Sequence, residues 1–160
     1  MIIIVMGVAG VGKTTVGRAL AEELHWRFAD GDDFHSAANI AKMHSGVPLT
    51  DEDRVPWLQC LRDTITGCLA GRENVVLACS ALKASYRKFL LVDPQVKLVY
   101  LRASFDLIAK RLVSRRGHYM NPHLLRSQFD TLEEPADILT VDAGLSVAQI
   151  VKEIRAVLGV

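Results

Sequence analysis

Cysteine is scarce: Cys60, Cys68 and Cys79 are the only three in 160 residues. None stands in a C-x-x-C pair and the number is odd, so neither a disulfide framework nor a cysteine-based metal ribbon is on offer. The thiols read as small apolar core fillers in a reduced, cytoplasmic protein. An excess of one charge is missing too. Lys and Arg number 19 against 18 Asp and Glu, a net charge of +1. That excludes a broad basic surface for nucleic acid and any global pull toward an acidic membrane. An anion must therefore be held by local groups. No apolar run is long enough to span a bilayer. The opening, Met1–Met6, has no basic segment before it and its apolar character ends by Lys13, so it reads as a buried strand rather than a signal peptide. The five histidines, His25, His35, His44, His118 and His123, are not spaced as zinc ligands. Linkers, internal repeats and low-complexity segments are also lacking, and residues 1–160 read as a single domain.

What is present is alternation. Ile2–Met6 is a continuous apolar run, the pattern of a strand covered on both faces. A helix is expected from Lys13 to about His25, with Val16, Ala19, Leu20 and Leu24 inward. Arg27–Ala29 is a short second strand ending at Asp30. Asn39, Ile40 and Met43 suggest a small helix, broken at Gly46-Val47-Pro48. Thr50 or Asp51 caps the next helix, which carries Leu58, Leu61, Ile65 and Leu69 and ends at Gly71. Val75–Cys79 is a third strand, Tyr86–Leu91 a helix stopped near Pro94, and Val96–Leu101 a fourth strand. Phe105, Ile108 and Leu112 line a helix, and Leu124, Leu125 and Phe129 begin another. Ile138–Val141 is the last strand, and Val147, Ile150, Val151, Ile154 and Val157 mark a closing helix. Right-handed crossovers turn this order into a three-layer α/β/α fold on a central five-stranded parallel sheet. Ligands of such folds bind at the carboxyl ends of the strands.

The segment Gly7-Val8-Ala9-Gly10-Val11-Gly12-Lys13-Thr14 matches G-x-x-x-x-G-K-[ST] between a predicted strand and a predicted helix. Glycines let backbone N–H groups turn inward around phosphate oxygens, and the helix N-terminus favours negative charge. Lys13 is expected on the β- and γ-phosphates, and the Thr14 hydroxyl on Mg²⁺. The motif does not by itself separate kinases from other nucleotide binders. No N-K-x-D base-reading motif is present, which argues against a GTPase.

Asp30-Gly31-Asp32-Asp33 follows the second strand. By composition it suits a solvated turn; beside a phosphate loop its carboxylates suit a base for an attacking hydroxyl and a support for Mg²⁺. Asp33 is the one expected to be only solvated. An acceptor site needs donors, and Arg54, Lys83, Arg87, Arg115 and Arg116 lie near loops. Arg54 also has local ion-pair partners in Asp51-Glu52-Asp53. Arg111, Arg115 and Arg116 gather around a loop between two helices. There they suit either a lid closing over phosphates or a helix C-terminus that favours cations.

With these residues the chain resembles the gluconate kinase family of small P-loop kinases, related in fold to shikimate kinase. Besides the phosphate loop, the resemblance is carried by Asp30–His35, Asn39–Met43, Gly46–Leu58, Cys79–Arg87, Arg115–Tyr119 and Gln128–Pro135. Ser36 and Tyr119 stand where the family usually has Pro and Phe, and neither removes a needed charge. The resemblance implies ATP:D-gluconate 6-phosphotransferase activity, a mobile lid at about 114–123 and a homodimer. ATP·Mg²⁺ is then expected on Gly7–Thr15, with Thr14 and Asp30 at the metal. Asp32 is the candidate base. Arg54, Lys83 and Arg87 take the sugar acid, with His35 and Ser80 nearby, and Arg111 and Arg115 close on the phosphates. A kinase for another small hydroxy acid, such as shikimate, and a non-catalytic nucleotide-binding regulator are the alternatives.

Overall fold

The structure, a computed structural model, describes residues 1–114 and 122–160. The elements in chain order are β1 (Ile2–Met6), α1 (Lys13–Leu24), β2 (Arg27–Asp30), a single 3-10 turn (Gly31–Phe34), α2 (Ala37–His44), α3 (Asp51–Ala70) and β3 (Val75–Ala78). They continue as α4 (Ala84–Leu90), β4 (Val96–Arg102), α5 (Phe105–Ser114), α6 (Pro122–Thr131), β5 (Leu139–Asp142) and α7 (Val147–Leu158). All strand pairs are parallel, in the order β2-β3-β1-β4-β5. This is the expected three-layer architecture on a five-stranded sheet. Among the described residues no helix is long and apolar enough to cross a membrane.

The period-two alternation of strand side chains divides the core into two layers. Ile3 and Val5 of β1 face α1, α5 and α7, where they join Val16, Leu20, Ile108, Ile150 and Ile154. Ile2, Ile4 and Met6 face α3 and α4 and pack with Leu58, Leu61, Ile65 and Leu90. The apolar run of β1 is thus explained by cover on both faces, and its five residues are all buried. Among the described residues, β1 also has a hydrogen-bonded neighbour on each side, whereas β2 is an edge strand, held only by β3.

Local chemistry sets the helix ends. Thr50 caps α3 through a capping box, its hydroxyl accepting from the Asp53 N–H and the Asp53 carboxylate accepting from the Thr50 N–H. Of the expected stripe, Leu58, Leu61 and Ile65 are buried, and Leu69 is only partly buried against the same layer. The cysteine expectation needs correction at one position. Cys68 and Cys79 are buried, but Cys60 is exposed, because it lies one residue, roughly 100° of helix turn, away from Leu61.

Candidate active site

β1 delivers the phosphate loop from the middle of the sheet. Gly7, Gly10 and Gly12 have φ of +147°, +80° and +106°. At Gly7 a Cβ would lie 2.8 Å from the Leu101 carbonyl oxygen, so only glycine fits there. The first turn of α1 has no side-chain cap and no acidic residue, which leaves its N–H groups and their partial positive charge for an anion. Lys13 Nζ donates to the Val8 carbonyl at 3.0 Å, within the loop. Burial pulls the Lys13 pKa down, opposed by the charges of Asp32, Cys79 and Asp30. The Thr14 hydroxyl donates to Asp30 Oδ2 at 2.7 Å. The two residues expected at the metal are therefore in direct contact, although they sit on different elements.

β2 carries the acidic turn to the same place. Asp30 Oδ1 accepts from the Asp32 N–H at 3.1 Å and caps the 3-10 turn. Asp32 and Asp33 are exposed. The side chain that fixes this turn comes from α3: Trp57 Nε1 donates to the Gly31 carbonyl at 2.7 Å. The indole also stacks on His35, with ring centroids 4.5 Å apart and planes 12° from parallel. His35 Nδ1 is buried without a hydrogen-bond partner among the described residues. Burial lowers the His35 pKa, Asp32 raises it and Arg54 lowers it. The imidazole is held toward its neutral form, an acceptor or donor to a hydroxyl rather than a cation.

The basic residues fall into two groups. Lys83 Nζ donates to both Asp51 oxygens, at 2.8 and 2.9 Å. Tyr86 donates a short hydrogen bond to Asp51 Oδ1, and Arg54 Nη1 lies 3.4 Å from the Tyr86 hydroxyl. The Arg54 guanidinium stands 5.8 Å from the Tyr86 ring centroid. Arg54 and Lys83 are thus brought together, on the α3–α4 side of the acidic turn. Ser80 is tied to the phosphate loop, its carbonyl accepting from the Gly7 N–H at 3.3 Å. Arg87 differs. Its guanidinium is buried and donates to the carbonyls of Ala81, Leu82 and Glu133 at 3.0, 2.9 and 2.9 Å. In this arrangement it braces the loop after β3 instead of offering a free fork to an acceptor.

Arg111 also has backbone partners. It donates to Val11 of the phosphate loop at 3.3 Å and, from its other terminal nitrogen, to the Ala143 carbonyl after β5. It clasps the nucleotide loop to the last strand's turn. Arg115, Arg116, His118 and Tyr119 lie outside the described residues. Two further contacts come from the Gln128–Pro135 segment, to which the sequence alone assigns no role: the Ala9 N–H donates to Gln128 Oε1 at 3.2 Å, and the Ala84 N–H donates to Glu133 Oε2 at 2.7 Å. α6 and the residues after it therefore touch both the phosphate loop and the loop after β3.

The chain as a whole has close counterparts among known proteins. The shikimate kinase family profile matches residues 9–158. A probable gluconokinase of Mus musculus is 46% identical over 153 residues, covering 84% of this chain and 83% of the mouse protein. The chain belongs to the gluconokinase family. The thermoresistant gluconokinase of Escherichia coli K12 is 43% identical over 146 residues, with 88% of this chain and 83% of that protein covered. The crystal structure of a gluconokinase from Sinorhizobium meliloti 1021 superposes with a TM-score of 0.89 at 44% identity, over 98% of this chain and 90% of the other. The gluconokinase fold thus spans essentially the whole chain.

Proposed function

We propose that the chain transfers the γ-phosphoryl group of ATP to the 6-hydroxyl of D-gluconate, giving 6-phospho-D-gluconate and ADP. The observation that carries this reading is the Thr14–Asp30 contact, which joins the phosphate loop to the turn bearing Asp32, with Arg54 and Lys83 on the far side of that turn. ATP phosphates rest on the N–H groups of Gly7–Thr15, with Lys13 on the β- and γ-phosphates. The donor set at Thr14 and Asp30, one hydroxyl and one carboxylate, fits Mg²⁺, which takes oxygen ligands and shares its site with substrate phosphates. When bound, the ion offsets charge on the β- and γ-phosphates.

The residues of the chain then do the positioning. Asp32 accepts the proton of the 6-hydroxyl as that oxygen bonds to the γ-phosphorus. The bond from the γ-phosphorus to the β–γ bridging oxygen breaks, and ADP leaves with that oxygen. Arg54 and Lys83 hold the acceptor's carboxylate, Arg by its planar fork. His35 and Ser80 take hydroxyls. Arg87 supports this side from beneath. Arg111 steadies the nucleotide loop, and Arg115 supplies charge to the transferring group. The working protein is a cytoplasmic homodimer.

An acceptor panel tests the activity. ADP release with Mg²⁺ and ATP is followed for gluconate, shikimate and glucitol, and the product is identified by phosphorus NMR. Gluconate is expected to give the 6-phosphate. Faster release with shikimate moves the chain to another acceptor. ATP binding with no acceptor-dependent ADP makes it a nucleotide-binding regulator. Size-exclusion chromatography with light scattering tests the dimer, and a monomer at working concentration would remove it.

A further inference from the structure

We propose that Trp57 is a positioning residue for phosphoryl transfer, acting through the peptide that links Gly31 to Asp32. The inference rests on the assignment of Asp32 as the base. That one peptide unit is clamped at both ends. Its carbonyl accepts from Trp57 Nε1 at 2.7 Å, and its N–H donates to Asp30 Oδ1 at 3.1 Å. Fixing both ends of a peptide plane fixes the direction in which the next Cα, that of Asp32, leaves it. A third restraint lies beneath: a Cβ at Gly31 would sit 2.7 Å from the Ala78 carbonyl oxygen, so the turn already lies hard against β3. The indole face holds His35 in a stack at 4.5 Å.

The clamp answers a weakness of the topology. The acidic turn hangs from β2, which has one neighbouring strand and no fully buried residue. Trp57, by contrast, is 3% exposed and belongs to the two-faced core through α3. Its ring therefore transfers the rigidity of that layer to an edge that the sheet holds weakly. A shift of about 1 Å in a reacting group can cost around 10²-fold in rate.

The test is a double-mutant cycle on the full chain with gluconate and ATP. Trp57→Phe keeps an aromatic face for His35 and removes the N–H. It is expected to lower kcat about tenfold, with the KM for ATP unchanged within about twofold. In an Asp32→Asn background the same change is expected to cost less than about twofold, since its effect runs through Asp32. A Trp57→Phe enzyme with wild-type kcat, or an equal loss in both backgrounds, overturns the proposal. If Trp57→Phe fails to fold by far-UV circular dichroism, benzothienylalanine replaces the indole in a Trp26→Phe chain, keeping its shape without the N–H. The same two outcomes then decide. A wild-type protein inert toward gluconate overturns the acceptor assignment instead, and the cycle is run with the panel acceptor that does release ADP.

Discussion

Replacing Arg87 with methionine separates a structural role from a role in reading the acceptor. The methionine stem retains much of the packing, and the lost guanidinium takes three hydrogen bonds with it. The three carbonyls do not suffer equally. Leu82 keeps the Glu133 N–H as a donor at 2.9 Å. Ala81, which is buried, is left without a protein donor among the described residues, whereas Glu133 is exposed and water can take the place of the guanidinium there. An orphaned buried polar group costs about 1–3 kcal/mol, so Arg87→Met is expected to lose roughly 1–3 kcal/mol through Ala81. At a urea slope of about 2 kcal/mol/M, the unfolding midpoint falls by about 0.5–1.5 M. The melting temperature falls by about 5 °C. Ala81 sharpens the expectation, because it is fully buried and holds a left-handed φ of +44°, a conformation that persists only where its surroundings enforce it. The assays are urea unfolding followed by circular dichroism and acceptor kinetics on the folded fraction. An unchanged midpoint together with a raised KM for gluconate would refute the reasoning and return Arg87 to the acceptor's carboxylate.

Three other changes probe the rest of the site. Lys13→Met is expected to abolish transfer while leaving the circular dichroism spectrum intact; full activity would remove the phosphate loop from the mechanism. Arg54→Ala is expected to raise the KM for gluconate about tenfold or more, the scale of a lost hydrogen bond to a charged group, with little change for ATP; the opposite pattern would move Arg54 to the nucleotide. Asp53 governs an acid dependence. Hydrogen bonds from Lys42 and from the Thr50 N–H hold its pKa down, from 3.8 to about 2. The folded-state value lies below the ordinary one, so the stabilisation is complete above pH 3.8 and is lost as pH falls toward about 2. Melting temperature measured across that window should fall with acid, and the slope should be shallower in Asp53→Asn.

The parts of the molecule that were legible in the sequence are those whose causes are local. Five consecutive apolar residues followed by spaced glycines, Lys13 and Thr14 specify a strand, a turn and a helix within two dozen positions. Thr50, one of the two candidate caps, marked the start of α3, and the structure adds Asp53 as its capping-box partner. The acidic turn was legible as composition, and the Thr14–Asp30 contact gave it a place. What escaped notice acts across the fold. Trp57 reaches Gly31 from 26 residues away, and Gln128 reaches Ala9 from 119. Neither partner is a side chain; each is a backbone group, which every residue carries and no residue type advertises. The bracing contacts of Arg87 escaped notice for the same reason, since its acceptors are three carbonyls. Cys60 shows the limit of periodicity, where a single step around a helix exchanges core for water.

The two halves of the reaction grow from unlike ground. The nucleotide's cradle springs from β1, flanked on either side; the turn bearing Asp32, the proposed base, hangs from β2, at the rim. Rims open before centres when a protein is warmed. With the proposed roles, this enzyme should lose its aim before its grip.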